Sequence, residues 1–273
     1  MVTRCAVLGS PIEHSLSPVM HRAAYAELGL RWTYDAVEVV PEDLAGFLDD
    51  LDATWRGLSL TMPLKRTVVP LLDELDPHAE RSGVANTVLF DGNRRLGFNT
   101  DIPGAFAALE THVPGVVDEA IVLGGGATAT SVLLALADGR CARAQVAVRE
   151  PGRAEETLNA VRRHPTPPEL ELVALDELEA VTADLVVSTI PAAAQTPALV
   201  AALAGVPAVF DVVYDPWPSP LVTAALNSHR DLISGIEFLG YQASLQVEIM
   251  TGRPVNPSVL IAAAAGELGA LGA

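Results

Sequence analysis

The sequence has few cysteines, few positive charges and no uninterrupted apolar run long enough to cross a membrane. Its 273 residues include 2 cysteines, too few for a disulfide framework, and no cluster of Cys and His with a metal-binding spacing. Lys and Arg number 17 against 34 Asp and Glu, so the formal net charge is -17. This charge disfavours binding to nucleic acid or to an anionic membrane surface. We therefore expect a reducing, cytoplasmic location and neither nucleic-acid nor membrane partners.

The longest uncharged stretch covers residues 185–210, and three prolines and several polar side chains interrupt it. It therefore predicts strand, loop and helix in succession and not a membrane span. Hydrophobic residues make up 50% of the chain and charged residues 19%, a composition typical of a compact globule. The length predicts two domains.

Short β-rich runs alternate with helical ones along the first hundred residues, which predicts a βαβ-type sheet. A hairpin is predicted at the end of this region, with its turn at Asp91-Gly92-Asn93. A second α/β series begins with the apolar run at 119–123 and has the order expected of a doubly wound sheet. Two helical stretches, at 237–251 and 257–268, follow the last predicted strand. Because no strand remains to extend the second sheet, we expect both stretches to return to the first domain.

The predicted fold class is therefore α/β, with two domains separated by a cleft. Residues 1–102 plus 237–273 are expected to form one domain. Residues 103–236 are expected to form the other, a Rossmann-like, doubly wound domain.

The segment Gly124-Gly125-Gly126-Ala127-Thr128-Ala129 follows a predicted strand and leads into a predicted helix. It has the form G-x-G-x-x-A, which in this context is a dinucleotide fingerprint. The first glycine permits a tight turn, the second lets backbone amides approach a pyrophosphate, and the helix N-terminus favours that anion. We expect a dinucleotide to bind here. The alternative is a glycine loop in an unrelated α/β sheet.

The end of the next strand, Val148-Arg149-Glu150-Pro151-Gly152-Arg153, is expected near the adenosine ribose. Arg149 and Arg153 suit the 2′-phosphate of NADP, whereas Glu150 would oppose that phosphate or bind a ribose hydroxyl. NADP is favoured on these residues, and NAD is possible. The alternative is that both arginines are ordinary solvated residues.

The run His14-Ser15-Leu16-Ser17-Pro18 places two hydroxyls at the start of a predicted helix. Ser17 is the expected N-cap, with Pro18 at the first helical position. A cap uses only Ser17, whereas two hydroxyls at a helix N-terminus suit a small carboxylate. The cap alone is the competing interpretation.

Lys65 and Asp101 each lie just beyond a predicted strand end. A lone lysine or aspartate is ordinarily a solvated surface charge. Only the convergence of the two in one site would make them catalytic.

Together, these segments resemble the shikimate dehydrogenases, oxidoreductases that interconvert 3-dehydroshikimate and shikimate with a nicotinamide cofactor. The resemblance covers essentially the whole chain. It rests in the first half on Gly9-Ser10-Pro11-Ile12, the 14–18 run with His21, Thr61-Met62-Pro63 with Lys65, Ala85-Asn86-Thr87 and Asn99-Thr100-Asp101. In the second half it rests on the glycine turn, Ser188-Thr189-Ile190-Pro191, Asp211-Val212-Val213-Tyr214, Gly235, Gln242 and Thr251-Gly252.

The resemblance implies a role for each matching residue. Lys65 and Asp101 would form the catalytic pair. The substrate would be held at its carboxylate by Ser15 and Ser17, at its ring hydroxyls by Thr61, Asn86, Asp101 and Gln242, and also by Tyr214. The cofactor would bind to Gly124, Gly125, Gly126, Ala127, Thr128, Arg149 and Arg153, with Thr189, Ile190, Gly235 and Phe238 lining the nicotinamide pocket. No metal is implied, and the protein would be a monomer or a homodimer.

The chain departs from the family pattern at Phe238, where family members often carry methionine, and at three further positions, of which Arg22 is expected to lie outside the ligand contacts. Ser59 replaces an asparagine and is expected still to offer a hydroxyl, Arg22 replaces another asparagine, and Glu150 stands in the cofactor signature. Two alternatives remain open: an NAD-dependent quinate/shikimate dehydrogenase, and a catalytically silent sensor of shikimate or NADP. Also open is whether Lys65 itself, or a water or substrate hydroxyl held by Lys65 and Asp101, carries the proton.

Overall fold

The computed structural model describes residues 2–179 and 181–271, with the backbone alone for the last two of these. The chain forms two compact units: unit 1 comprises Met1–Asp101 and Leu239–Ala273, and unit 2 comprises Ile102–Phe238. Each unit is built on its own β-sheet. The predicted α/β fold class is therefore confirmed. Within the described ranges, no helix is both long enough and apolar enough to cross a membrane.

Unit 1 contains a mixed sheet with the strand order β2-β1-β3-β5-β6-β4. Its strands are β1 (Arg4–Gly9), β2 (Thr33–Glu38), β3 (Trp55–Leu60), β4 (Glu74–Leu75), β5 (Thr87–Asp91) and β6 (Arg94–Phe98). β1 is parallel to both β2 and β3, whereas β5 is antiparallel to both β3 and β6. The β5–β6 hairpin turns where the sequence predicts it. β4 was not predicted, because two residues carry no readable periodicity.

Helices of unit 1 follow the strands in the predicted alternation. They are α1 (Ser17–Glu27), α2 (Leu44–Asp49), α3 (Leu64–Thr67) and α4 (Pro77–Ser82). Buried apolar side chains of β1, β3 and β5 pack against α2 and α3, and Leu8, Leu58 and Leu64 are fully enclosed. Burial of apolar surface stabilises a fold by about 25 cal/mol per Å². This packing therefore holds the strand ends and the short helix α3 in place.

Unit 2 contains a parallel sheet with the strand order β12-β11-β10-β7-β8-β9. Its strands are β7 (Glu119–Leu123), β8 (Arg143–Val148), β9 (Glu169–Ala174), β10 (Leu185–Ser188), β11 (Ala208–Asp211) and β12 (Asp231–Ile233). β10 and β11 are apolar and buried along most of their length, as expected of strands covered on both faces. The order is that of a Rossmann fold, in which the direction of winding reverses between β7 and β10.

Helices of unit 2 are α5 (Asp101–His112), which begins at the last residue of unit 1, α6 (Ala127–Asp138), α7 (Glu155–Arg162), α8 (Pro197–Ala202) and α9 (Pro220–Asn227). α6 is buried from Ala129 to Ala137, and α7 packs against it. A 3₁₀ turn at Pro151–Ala154 precedes α7, which becomes α-helical at Glu155. The proline at the first position of this turn and the following glycine account for the late start of the α-helix.

The chain ends with α10 (Gly235–Thr251) and α11 (Pro257–Leu271). α10 starts in unit 2 with a capping box, in which the Ser234 N–H and hydroxyl donate to the Glu237 carboxylate. Its later turns belong to unit 1, where Met250 packs against Cys5 and Tyr25. α11 packs against α1.

Candidate active site

Backbone pairing brings three segments together at one edge of the unit 1 sheet. Leu8 pairs with Leu60 between parallel strands, and Ser59 pairs with Thr87 between antiparallel ones. The carboxyl ends of β1 and β3 therefore lie beside the amino end of β5. The Leu60 N–H donates to the Asn86 carbonyl at 2.8 Å, and the Asn86 N–H donates to the Phe98 carbonyl at 3.0 Å. The segment after β6 consequently reaches the same edge.

Lys65 and Asp101 form an ion pair at this edge. Lys65 Nζ lies 2.6 Å from Asp101 Oδ2, and the two side chains are 13% and 2% exposed. A charge-assisted hydrogen bond this short and this sheltered fixes both groups. Asp101 is the first residue of α5, so the helix dipole favours its negative charge. The structure thus unites two charges that lie 36 residues apart in the sequence.

Asn86 and Gln242 complete a cluster around this ion pair. The Asn86 amide Nδ2 donates to Asp101 Oδ1 at 2.8 Å and to Gln242 Oε1 at 3.1 Å. Asn86 precedes β5, Gln242 projects from α10, and both side chains are buried. The cluster presents an ammonium, a carboxylate and two carboxamides, the donors and acceptors that a polyhydroxylated ring requires.

Ser15, Ser17 and Thr61 lie in the segments that follow β1 and β3. The Thr61 N–H donates to the Leu8 carbonyl at 2.9 Å, which places Thr61 beside the end of β1. α1 starts at Ser17 and Leu16 is its N-cap residue, so the prediction that Ser17 is the N-cap is wrong. The helix begins one residue earlier than predicted, and the Ser17 N–H donates to Ser15 Oγ at 3.3 Å. Ser15 therefore satisfies a backbone donor of the first turn.

A buried polar chain behind this cluster was not predicted from the sequence. The Tyr34 hydroxyl donates to Ser59 Oγ at 2.6 Å, and the Ser59 hydroxyl donates to Gln246 Oε1 at 2.7 Å. The Ser59 hydroxyl thus donates into the core, to Gln246. One signal could have identified Gln246, because it lies one helical turn after Gln242 and so shares its face of α10.

His21 lies against Tyr34 and is fully buried. The two rings stack with centroids 3.9 Å apart and planes inclined by 17°. His21 Nδ1 donates to the Ser17 carbonyl at 2.9 Å, and Nε2 has no hydrogen-bond partner among the described residues. Burial lowers the pKa of His21 to about 4, with the Ser17 bond acting in the opposite direction. The imidazole is therefore neutral at physiological pH.

The glycine turn of unit 2 connects β7 to α6. Gly124 has φ +108°, and a Cβ at this position would collide with the Thr189 hydroxyl. Gly126 is the N-cap residue of α6, and a Cβ added there would have no neighbour within 4 Å. Ala127 and Thr128 form the first turn of the helix, and Ala129 is buried beneath it. The open space at Gly126 and the α6 N-terminus fit a pyrophosphate.

Arg149, Glu150 and Arg153 follow β8, the strand next to β7, and all three are exposed. The Arg153 N–H donates to the Glu150 carbonyl at 3.0 Å, which keeps the three residues within one tight turn. This is the position at which a Rossmann fold meets the adenosine ribose.

Four more residues of unit 2 were predicted to line the nicotinamide pocket. Thr189 follows β10, and its hydroxyl donates to the Leu123 carbonyl at 2.8 Å, while the next residue, Ile190, packs on the unit 2 core. Gly235 starts α10. Phe238 is 6% exposed, and its ring meets that of buried Phe210 edge-on at 5.3 Å.

Tyr214 follows β11 and is half-buried, in a segment anchored by Asp211. The Asp211 carboxylate accepts bonds from Ser219 Oγ at 2.5 Å, Gln195 Nε2 at 2.8 Å and the Val213 N–H at 3.1 Å. Burial raises the pKa of Asp211, and these hydrogen bonds oppose that rise. The carboxylate thus ties the segment that carries Tyr214 to the ends of β10 and β11.

Comparison with known proteins gives consistent matches along the chain. A family model described as the shikimate dehydrogenase substrate binding domain matches residues 7–88. A shikimate dehydrogenase (NADP(+)) of Thermus thermophilus is 36% identical over 268 residues, covering 97% of this chain and 99% of that protein. The crystal structure of Mycobacterium tuberculosis shikimate dehydrogenase is 34% identical, with a TM-score of 0.86 and coverage of 97% and 99%. A Thermus thermophilus shikimate 5-dehydrogenase, crystallised in complex with NADP(H) and shikimate, is 32% identical, with a TM-score of 0.82 and coverage of 97% and 99%.

Proposed function

Because this chain belongs to the shikimate dehydrogenase family, we propose that it catalyses the reversible NADPH-dependent reduction of 3-dehydroshikimate to shikimate, a step of aromatic amino-acid biosynthesis. The observation that carries the proposal is the Lys65–Asp101 ion pair, bonded to Asn86 and through it to Gln242 at one sheet edge. The relative crystallised with NADP(H) and shikimate supports the same pair of ligands.

The substrate carboxylate is assigned to Ser15 and Ser17, and the ring hydroxyls to Thr61, Asn86, Asp101 and Gln242. Two hydroxyls at the start of α1 suit a carboxylate, because the backbone N–H groups and dipole of a helix N-terminus attract anions. Tyr214 is assigned a further substrate contact. The net charge of -17 repels an anionic substrate at long range, so binding depends on these short-range donors.

Reduction of the ketone adds a hydride to the carbonyl carbon and a proton to its oxygen. Negative charge develops on that oxygen, and the Lys65 ammonium stabilises it by donating a hydrogen bond. One of the three Lys65 donors is already held by Asp101, which orients the others. The proton reaches the oxygen from Lys65 Nζ, or from a water or substrate hydroxyl that Lys65 and Asp101 hold.

NADPH supplies the hydride when bound to unit 2. Its pyrophosphate is assigned to Gly124, Gly125, Gly126, Ala127 and Thr128, and its 2′-phosphate to Arg149 and Arg153. Thr189, Ile190, Gly235 and Phe238 are assigned to the nicotinamide. The fit rests on the open space at the Gly126 Cβ position and on two exposed guanidinium groups beyond β8.

A Lys65→Ala variant tests the assignment. We expect kcat to fall by about 10²- to 10⁴-fold with a much smaller change in KM for shikimate, because the lost interaction belongs to the transition state. Arg94→Ala is the control, since it removes a positive charge of unit 1 whose ion pairs are exposed, and it should leave kcat unchanged. An unchanged kcat in Lys65→Ala would contradict the assignment.

Its composition and its thiols support a cytoplasmic location. Cys5 and Cys141 are both buried as free thiols, which suits a reducing cytoplasm. The excess of negative charge disfavours nucleic acid and anionic membranes as partners. Its working form is a monomer or a homodimer, which sedimentation equilibrium would distinguish.

A further inference from the structure

A chain of hydrogen bonds leads through the core and ends on Asn86. Its other members are Tyr34, Ser59, Gln246 and Thr87, and all five residues are buried. Beyond the Tyr34–Ser59 and Ser59–Gln246 bonds, Gln246 Nε2 lies 3.0 Å from Thr87 Oγ1, and Thr87 Oγ1 lies 2.9 Å from Asn86 Oδ1. A carboxamide side chain has a donor end and an acceptor end of nearly equal shape. The direction of each bond in the chain therefore decides which end each carboxamide turns to its neighbours.

Two backbone groups determine these directions. The Thr100 N–H lies 2.9 Å from one end of the Asn86 carboxamide and can only donate, so that end is the oxygen. The Asn86 carbonyl lies 3.1 Å from one end of the Gln246 carboxamide and can only accept, so that end is the nitrogen. The Gln246 oxygen then faces Ser59, whose hydroxyl must donate to it and must accept from Tyr34.

Thr87 transmits this direction to Asn86. Its hydroxyl accepts from Gln246 Nε2, so its own hydrogen is directed to Asn86 Oδ1. Asn86 Oδ1 thus accepts from the Thr87 hydroxyl and the Thr100 N–H, with the Thr100 hydroxyl also 3.2 Å away, and Nδ2 is turned toward Asp101 Oδ1. The reverse orientation would set an amide oxygen 2.8 Å from a carboxylate oxygen. The chain therefore favours the one orientation in which Asn86 binds Asp101.

We propose that Thr87 and Gln246 are positioning residues for the reaction. Ser59 and Tyr34 support them, because the Ser59 hydroxyl, which accepts from Tyr34, holds the Gln246 oxygen. Together with the Thr100 N–H, the two positioning residues hold the orientation of the Asn86 amide, which binds one oxygen of Asp101 while Lys65 binds the other. The inference rests on the proposed function for its kinetic consequence. The bonds that orient the Asn86 amide are made by protein groups, so the orientation can be measured without substrate.

A matched pair of variants at Thr87 tests the proposal. Thr87→Val removes the hydroxyl at nearly constant shape, whereas Thr87→Ser keeps it. For Thr87→Val we expect kcat to fall about tenfold with KM for NADP unchanged. Here kcat is calculated per active site, and the number of active sites is measured by titration with NADPH. Thr87→Ser should recover kcat to within about twofold of wild type. Equal kcat values for wild type and Thr87→Val would overturn the proposal.

Gln246→Leu tests whether the residues act through one chain. We expect the Thr87→Val/Gln246→Leu double variant to lose no more kcat than the worse single variant, because both break the same chain. Multiplicative losses would contradict the proposal, since they would mean that the two residues act independently.

A readout without substrate separates this inference from the proposed function. In ¹⁵N NMR spectra, the Asn86 side-chain NH₂ should give one set of signals in wild type and in Thr87→Ser. In Thr87→Val it should shift or split, because Asn86 Oδ1 loses the Thr87 hydroxyl and is held less firmly by the Thr100 N–H that remains. If wild type shows no shikimate turnover but these signals respond, the proposed function fails and the positioning chain stands. Unchanged signals in Thr87→Val overturn the chain whatever the turnover.

Discussion

The buried imidazole of His21 makes the stability of this protein depend on pH. A His21→Asn variant probes this dependence, because the asparagine amide can still donate to the Ser17 carbonyl but cannot titrate. In the folded protein the pKa of His21 is about 4, against 6.5 for an unperturbed histidine. The unfolded chain therefore binds more protons than the folded chain between these two values.

The direction and the size of the pH effect on stability follow from this difference in pKa. Stability from the neutral imidazole is complete above pH 6.5 and is lost as the pH falls toward 4. At about 1.4 kcal/mol for each tenfold change in proton affinity, the loss is about 3 kcal/mol. The neighbouring Tyr25 and Tyr34 hydroxyls stay neutral in this range, because burial raises the pKa of both. They therefore add no charge to the site.

Urea denaturation of both proteins between pH 7.5 and pH 4.5 measures the effect. At pH 7.5 His21→Asn should be the less stable protein, because it loses the ring stacked on Tyr34. The difference in the free energy of unfolding should shrink as the pH falls and be reduced by about 2 to 3 kcal/mol near pH 4.5. A difference that stays constant across this range would refute the reasoning.

Three further predictions concern unit 2. Gly124→Ala should lower the melting temperature and weaken NADP binding, because φ +108° and the Thr189 hydroxyl both exclude a side chain. At Gly126 an added Cβ meets no neighbour, so Gly126→Ala should leave the melting temperature unchanged while weakening NADP binding in calorimetry. Asp211→Ala should cost about 3 kcal/mol in chemical denaturation, because it leaves buried donors without an acceptor. Glu150→Gln should lower KM for NADP more than KM for NAD in steady-state assays, because it removes a negative charge beside Arg149.

The sequence predicted those parts of the protein that short segments encode. The glycine turn lies between β7 and α6 because strand, turn and helix signals follow one another within 20 residues. Lys65 and Asp101 could be selected as candidates because each follows a strand end. Their meeting depends on the register of β3, β5 and β6, which periodicity alone does not determine.

The parts that were missed depend on contacts between distant segments. Gln246 lies 160 residues from the Asn86 carbonyl that it binds, and 187 residues from Ser59. No local pattern shows that the Ser59 hydroxyl donates to Gln246 and not to the site. The N-cap error at Ser17 has a local cause, because proline is accepted in the first turn of a helix at more than one position.

Reduced-nicotinamide absorbance with the purified protein tests the central claim most directly. Four reactions are compared: shikimate or quinate as substrate, each with NADP or NAD. Turnover with shikimate and NADP, and little with the other pairs, is the predicted result. It would show that Arg149 and Arg153 outweigh Glu150 in choosing the cofactor. Turnover mainly with NAD and quinate, or no turnover by a folded protein that binds NADP, would contradict it.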